Sequence, residues 1–172
     1  MNTRRQHGLT LVELMIAVSI ISLLLGLALP GFRELGNSTR LKNYANELSS
    51  AIQMARSEAI KRNEDVRLCA TSDGSSCATE GGWETGWLIL DASNNVLGSR
   101  SELNGGMDLD ATRVGSTDAV YSITFASTGL VQPSSLFVLC RKTPSAGKQE
   151  REILLYPSGQ PKVTVTSNGF CT

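Results

Sequence analysis

Histidine and aromatic residues are scarce in this chain of 172 residues. The single histidine is His7, and aromatic side chains make up 5% of the sequence. Because no histidine follows residue 7, histidine-based catalytic triads and the common zinc sites are excluded for nearly the whole chain. Sixteen basic residues balance sixteen acidic ones, so the strongly basic composition of a typical nucleic-acid-binding domain is also missing. We therefore expect no enzyme, no metal site and no cofactor.

One long hydrophobic run lies near the N-terminus. It extends from Leu9 to Leu29, and Glu13 is its only charged residue. At about 1.5 Å per residue, a helix of this length covers roughly 30 Å, the thickness of a bilayer core. The run predicts either a membrane-spanning helix over 9–29 or the core of a cleaved secretory signal. It exceeds the about 7–15 residues of such a core, and Ala28-Leu29-Pro30 matches a signal cleavage site poorly.

The arrangement around Glu13 carries a resemblance. Arg4, Arg5 and His7 precede Gly8, and Leu9-Thr10-Leu11-Val12-Glu13 then opens the apolar run. This order resembles the type III signal of type IV pilins and type II secretion pseudopilins. The resemblance implies that residues 1–8 are a leader, that a prepilin peptidase cuts after Gly8, and that the new N-terminus at Leu9 is methylated. Leu9 departs from the phenylalanine that most members have there.

Glu13 would then have an assembly function. A carboxylate retained inside a membrane helix costs free energy and indicates a function with a charged partner. The ammonium group of Leu9 in a neighbouring subunit is a suitable partner, since each charge lowers the cost of burying the other. The alternative is that Glu13 only sits in the membrane interface near the start of the helix.

Residues 30–172 predict an α+β fold. Pro30-Gly31 should bend or loosen the helix as it leaves the membrane, because proline removes a backbone hydrogen bond. Apolar residues then recur at spacings of three and four, so residues 30–63 predict an amphipathic helix that ends at Asn63. From residue 64 the period changes to two, which predicts short antiparallel strands packed against this helix. The predicted strands are 66–70, 86–90, 96–100, 121–125, 136–141, 152–156 and 162–166.

This second part is similar to the GspH/FimT branch of FimU-like minor pilins and pseudopilins. The segments that carry the similarity are 55–63 with 66–69, 86–91, 123–125 with Gly129, and 151–155 with Ser158-Gly159. The resemblance implies a low-abundance subunit in the bacterial inner membrane, with a periplasmic globular part, that primes assembly near a filament tip and serves adhesion or twitching motility. Implied partners are other minor pilins, the major pilin, the prepilin peptidase and the inner-membrane assembly platform. A type II secretion pseudopilin and a DNA-binding minor pilin for natural transformation are the alternatives.

The four cysteines, none of them in a Cys-x-x-Cys pair, predict disulfides in an exported protein. Three pairings are open, and we favour Cys69–Cys77, which closes a polar loop, and Cys140–Cys171, which ties the C-terminal end to a strand. Four buried free thiols are the alternative.

A DNA-binding function would need a basic surface near the C-terminus. Some members of the branch bind DNA through a Gly-Arg-x-Arg element, and the matching positions here are Gly159-Gln160-Pro161-Lys162. Lys148, Arg151 and Lys162 would form a basic rim that makes weak phosphate contacts. Glu150 and Glu152 dilute this charge, so a solvated loop is the favoured interpretation.

Overall fold

The computed structural model of the protein describes residues 10–141 and 150–166, apart from the side chains of residues 27–35 and 37. The predicted site residues Gly8, Leu9, Lys148 and Cys171 lie outside these ranges. The chain divides into two compact units, with the boundary between Asn37 and Ser38. A long helix precedes a series of antiparallel strands, so the predicted α+β class is confirmed.

Helix α1 spans Leu11–Arg62. Its backbone remains helical through Pro30, so the proline does not end the helix, as its missing hydrogen bond affects only one turn. The helix ends where the sequence predicts. Asn63 adopts a left-handed backbone conformation with φ of 56°, and the N–H of Glu64 donates to the carbonyl of Ala59 at 3.3 Å. This bond is typical of a Schellman motif, which satisfies carbonyls at the end of a helix.

The second half of α1 buries one apolar face. The apolar residues that recur at spacings of three and four are buried in the structure: Leu41, Leu48, Ile52, Ala55 and Ala59 fully, and Tyr44 and Ala51 by about half. The spacing of three and four residues places these side chains on one side of a helix with 3.6 residues per turn. The face packs into the same hydrophobic core as the inner residues of the sheets.

Two antiparallel sheets follow α1. The first has five strands in the order β3-β2-β1-β5-β6, and the second has four in the order β4-β7-β8-β9. The strands are β1 (Val66–Ala70), β2 (Gly86–Leu90), β3 (Val96–Ser101), β4 (Met107–Arg113), β5 (Ser122–Phe125), β6 (Val131–Gln132), β7 (Ser135–Arg141), β8 (Glu150–Leu155) and β9 (Pro161–Thr166). A short 3-10 turn, Trp83–Thr85, precedes β2.

Aromatic side chains contribute to the core, among them Trp83, Trp87, Phe125 and Phe137. Trp83 is 1% exposed and packs edge-to-face on Phe137, with ring centroids 5.0 Å apart. Its indole N–H donates to the carbonyl of Val120 at 2.7 Å, so the polar end of the buried ring is satisfied.

The sequence prediction misses β4 and β6. Strand β4 alternates in burial, with Met107, Leu109 and Ala111 facing the core and Asp108 and Asp110 facing away. The sequence of β4 does alternate with a period of two. It was not recognised as a strand because aspartate, which occupies two of the outward positions, is disfavoured in strands. Strand β6 has only two residues, too few for any periodicity.

Candidate functional site

The N-terminal part of α1, residues 11–26, carries most of the large apolar side chains that are exposed in the described chain. Large side chains on every side of the helix are more than half exposed, with values between 54% for Ile20 and 74% for Leu11. A helix that is apolar all round is normally buried in an assembly or in a membrane. Among the residues described, no helix has an apolar stretch of the length and hydropathy needed to cross a membrane.

Glu13 is the only charged residue between Thr10 and Gly26, and it lies exposed in the first turn of α1. The N–H of Glu13 donates to the side-chain oxygen of Thr10 at 3.2 Å, and the N–H of Leu14 donates to the Thr10 carbonyl at 3.1 Å. Thr10 therefore acts as the N-cap, and the spacing Thr-x-x-Glu is that of a capping box. A carboxylate here also interacts favourably with the positive end of the helix dipole.

The capping role of Thr10 was missed in the sequence, although the Thr-x-x-Glu spacing before an apolar run was its signal. It has a consequence for Glu13. Because Thr10 caps α1, Glu13 is the third residue of the helix and its carboxylate lies in the first turn.

Two serines lie in the same part of the helix. The hydroxyl of Ser19 donates to the carbonyl of Met15, and that of Ser22 to the carbonyl of Val18, both at 2.8 Å. Since the hydroxyl protons are satisfied within the helix, these residues do not require a polar partner outside it. Among the polar side chains of residues 11–26, the Glu13 carboxylate is therefore the one whose transfer to an apolar environment would cost the most free energy.

The predicted disulfide between Cys69 and Cys77 is present, and it closes the loop after β1. Inside the loop the carboxylate of Asp73 accepts hydrogen bonds from the Ser76 hydroxyl, the backbone N–H groups of Ser75 and Ser76, and the Thr71 hydroxyl. These bonds, that from the Ser76 hydroxyl foremost, hold the pKa of Asp73 far below its ordinary value. Cys140 is also disulfide-bonded, while its predicted partner Cys171 lies outside the described residues.

The residues predicted to form a basic rim do not come together in the described part of the chain. Arg151 of β8 pairs with Val165, and Lys162 of β9 pairs with Leu154. Residues three apart on a strand point to opposite faces, so Arg151 and Lys162 lie on opposite faces of the sheet. Arg151 is 8% exposed and Lys162 is exposed, while Lys148 lies outside the described residues.

One acidic cluster was not predicted, because it depends on β4. Carboxylate oxygens of Glu84, Asp108 and Asp110 lie within 4.8 Å of one another. Asp108 and Asp110 also interact with other groups. Acidic groups at a surface often lie this close without an ion, so we assign no ligand to the cluster.

Comparisons with known sequences agree with both parts of the chain. The family described as type II transport protein GspH matches residues 44–169, and the prokaryotic N-terminal methylation motif matches residues 3–29. The pilin-like protein PilA1 of Thermus thermophilus is 43% identical over 72 residues, which cover 42% of this chain and 44% of that protein. A fimbrial protein of Pseudomonas aeruginosa is 34% identical over 68 residues, 40% of this chain and 44% of its own. The chain thus matches less than half the length of these curated relatives.

Two solved structures share the fold. The type IV minor pilin FimU of Pseudomonas aeruginosa gives a TM-score of 0.54 at 21% identity, over 74% of this chain and 88% of that one. The minor pseudopilin EpsH of the Vibrio cholerae type II secretion system gives 0.55 at 13% identity, over 75% and 96%. Because the GspH match spans most of the sequence and a methylation motif precedes it, the chain belongs to the GspH family of minor pilins and pseudopilins.

Proposed function

We propose that the chain is a minor subunit of a type IV pilus, which primes filament assembly and lies near the tip. A leader is removed after Gly8, and Leu9 becomes the methylated N-terminus. The apolar helix holds the subunit in the inner membrane until it is extracted into the filament. The observation that carries this proposal is the apolar surface of residues 11–26, exposed on every side of the helix and interrupted by the single carboxylate of Glu13.

Glu13 and Leu9 account for the register of the helices in such a filament. In an apolar bundle, an isolated carboxylate and an isolated ammonium group each carry a large desolvation cost. Pairing Glu13 of one subunit with the N-terminus of Leu9 in the next reduces both costs and favours one axial position. The Thr10 cap supports this pairing, because it fixes the start of the helix and the place of the carboxylate on it.

The test is filament entry of the Glu13→Leu variant. We expect it to insert in the inner membrane as the unchanged chain does and to be missing from sheared filaments, measured by immunoblotting of both fractions. Ser22→Ala is the matched control in the same helix. It should enter filaments, since the Ser22 hydroxyl is bonded within α1. Entry of Glu13→Leu at the level of the unchanged chain would refute the proposed role of the carboxylate.

A type II secretion pseudopilin is the second candidate. The GspH family match and the fold shared with a minor pseudopilin favour it. The two candidates differ in the filament that contains the subunit. We expect affinity-tagged full-length chain, solubilised in detergent, to co-purify with the minor and major pilins of a pilus. Recovery with the pseudopilins of a secretion system instead would favour the second candidate.

A further inference from the structure

A short loop between the two sheets contains an asparagine followed by a glycine. The loop, residues 104–106, has the sequence Asn-Gly-Gly, is exposed throughout, and lies between β3 of the first sheet and β4 of the second. Leu103 and Met107 on either side of it are both 3% exposed. The N–H of Leu103 also donates to the carbonyl of Glu84 at 2.7 Å. The loop is therefore held at both ends while the loop itself lies in solvent.

Asn104 is bonded to α1 through its backbone and not through its side chain. Its N–H donates to the Tyr44 hydroxyl at 3.2 Å, and that hydroxyl donates to the Asn104 carbonyl, also at 3.2 Å. Within the described residues, the side-chain amide of Asn104 and the N–H of Gly105 take part in no hydrogen bond. No hydrogen bond therefore restrains either the amide carbon or the backbone nitrogen next to it in the chain.

The guanidinium group of Arg40 lies beside this peptide bond. Its Nη1 is 3.1 Å from the position that a Cβ would occupy at Gly105, so the missing side chain lets the cation approach the backbone closely. A cation within about 4–6 Å favours the negatively charged form of a neighbouring group. Arg40 is therefore placed to stabilise the negative charge that develops when the Gly105 nitrogen loses its proton.

We propose that Asn104 is a site of spontaneous deamidation, in which the Gly105 nitrogen attacks the Asn104 side chain and Arg40 promotes the attack. The nitrogen loses its proton to water and forms a bond to Cγ of Asn104. The bond from Cγ to Nδ2 breaks, and the leaving nitrogen takes up a proton and departs as ammonia. One water molecule then opens the resulting cyclic imide to aspartate or isoaspartate. The net reaction converts an amide and water to a carboxylic acid and ammonia, with no oxidation or reduction.

The products change the charge and the length of the loop. Both add a negative charge beside Arg40. In isoaspartate the main chain runs through the side-chain carbons of residue 104, so it is one atom longer between the buried residues Leu103 and Met107. The former backbone carbonyl that accepts from the Tyr44 hydroxyl becomes a free carboxylate outside the main chain. We therefore expect the thermal midpoint to fall by a few degrees as the protein ages.

Mass spectrometry of the full-length chain, incubated in detergent and mildly alkaline buffer, tests the proposal. The tryptic peptide of residues 101–113 contains Asn104, and its mass increases when the amide becomes an acid. We expect Arg40→Gln to slow this conversion about fivefold in the folded protein, because the developing charge loses its cation. Arg40→Lys keeps a cation and should retain most of the rate. In urea, where Arg40 is not held beside Gly105, all three proteins should react equally fast.

Asn104→Gln is the matched control at the reacting residue. It keeps an amide, but its attack would need a six-membered ring, so the peptide should remain unmodified and the midpoint should not fall with age. Asn94 is also exposed but is followed by Asn95, and it should react at least about tenfold more slowly than Asn104. An Asn104 that stays intact in the folded chain, while it reacts in urea, would overturn the proposed site. Equal rates for the folded unchanged chain and Arg40→Gln would overturn the role of Arg40.

Discussion

At the scale of single residues, the segments that carry the family resemblance meet at one place. Arg56 of α1 donates from Nε to the carbonyl of Gly129 at 3.2 Å. A Cβ at Gly159 would lie 2.5 Å from that same carbonyl oxygen and 2.8 Å from Cδ of Arg56. Arg56, Gly129 and Gly159 are far apart in the chain but meet at one junction. There the two turns that contain the glycines pack against the end of α1.

Gly159→Ala should weaken this junction. Gly159 has φ of 74°, so an alanine there is strained, and its Cβ would also clash with backbone that cannot move freely. We expect the free energy of unfolding to fall by about 2–3 kcal/mol, measured by urea denaturation. Gly115→Ala is the control, with φ of 80° but open space around the new methyl group, and should cost about 1 kcal/mol. Equal losses in both variants would show that the close approach does not matter.

Asp91 predicts a dependence of stability on pH. Its carboxylate accepts hydrogen bonds from the Asn95 side chain at 2.9 Å and from the N–H groups of Asn95 and Ser93 at 2.8 and 2.9 Å. These bonds, with that from the Asn95 side chain as the largest cause, and the nearby Arg62 lower the pKa of Asp91 from its ordinary 3.8. The unfolded chain therefore takes up the proton at a higher pH than the folded chain. Stability from this group is complete above about pH 5 and is lost as the pH falls through 4 toward the folded pKa.

Asp91→Asn should accordingly lower the thermal midpoint at pH 7 and have a smaller effect at about pH 3, where the wild-type carboxylate is also becoming protonated. Circular dichroism melts across this range measure the gap between the two proteins. A gap that stays constant with pH would contradict a role for the charged form of Asp91.

At the scale of elements, the spacing of apolar residues predicted which side chains are buried. It failed to predict strands whose composition or short length hides the alternation of period two. The stripe from Leu41 to Ala59 and the end of α1 at Asn63 follow directly from helical spacing and capping. Strand β4 was missed because aspartates occupy its outward positions. Periodicity also leaves open which faces Arg151 and Lys162 occupy, since the register of β9 against β8 decides this. Register depends on the pairing of distant strands, and a single sequence does not contain it.

The disulfide loop after β1 is an element whose contribution can be measured. Cys69 is fully buried in β1, and its bond to Cys77 closes a loop with a sequence separation of eight residues. Closing a loop of this length stabilises the fold by about 2–3 kcal/mol in the chain-entropy model. We expect the double variant Cys69→Ala, Cys77→Ala to lose that amount in urea denaturation. Peptide mapping of the non-reduced variant should still recover the predicted bond between Cys140 and Cys171, and recovery of these two residues as free thiols would contradict it.

At the scale of the whole molecule, stability and assembly belong to different parts of the chain. The buried hydrophobic core runs from Leu41 to Leu155, all within the unit that begins at Ser38. The exposed apolar surface and Glu13 lie in the other unit. A substitution in residues 11–26 that prevents assembly should therefore leave the folding stability of the β-rich part nearly unchanged. A substitution that weakens the core should likewise leave the apolar surface of residues 11–26 unchanged.

A fragment that begins at Ser38 makes this separation testable. Because it keeps the entire described core and loses the exposed apolar helix, we expect it to fold as a soluble monomer with a cooperative thermal transition. In mild detergent, the thermal midpoint of the full-length Glu13→Leu variant should lie within a few degrees of that of the unchanged full-length chain, since Glu13 is outside the unit that begins at Ser38 and holds the described core. The same fragment should be missing from sheared filaments, measured by sedimentation and immunoblotting. A fragment that aggregates would show that residues before Ser38 contribute to folding, and one that enters filaments would show that the helix is dispensable for assembly.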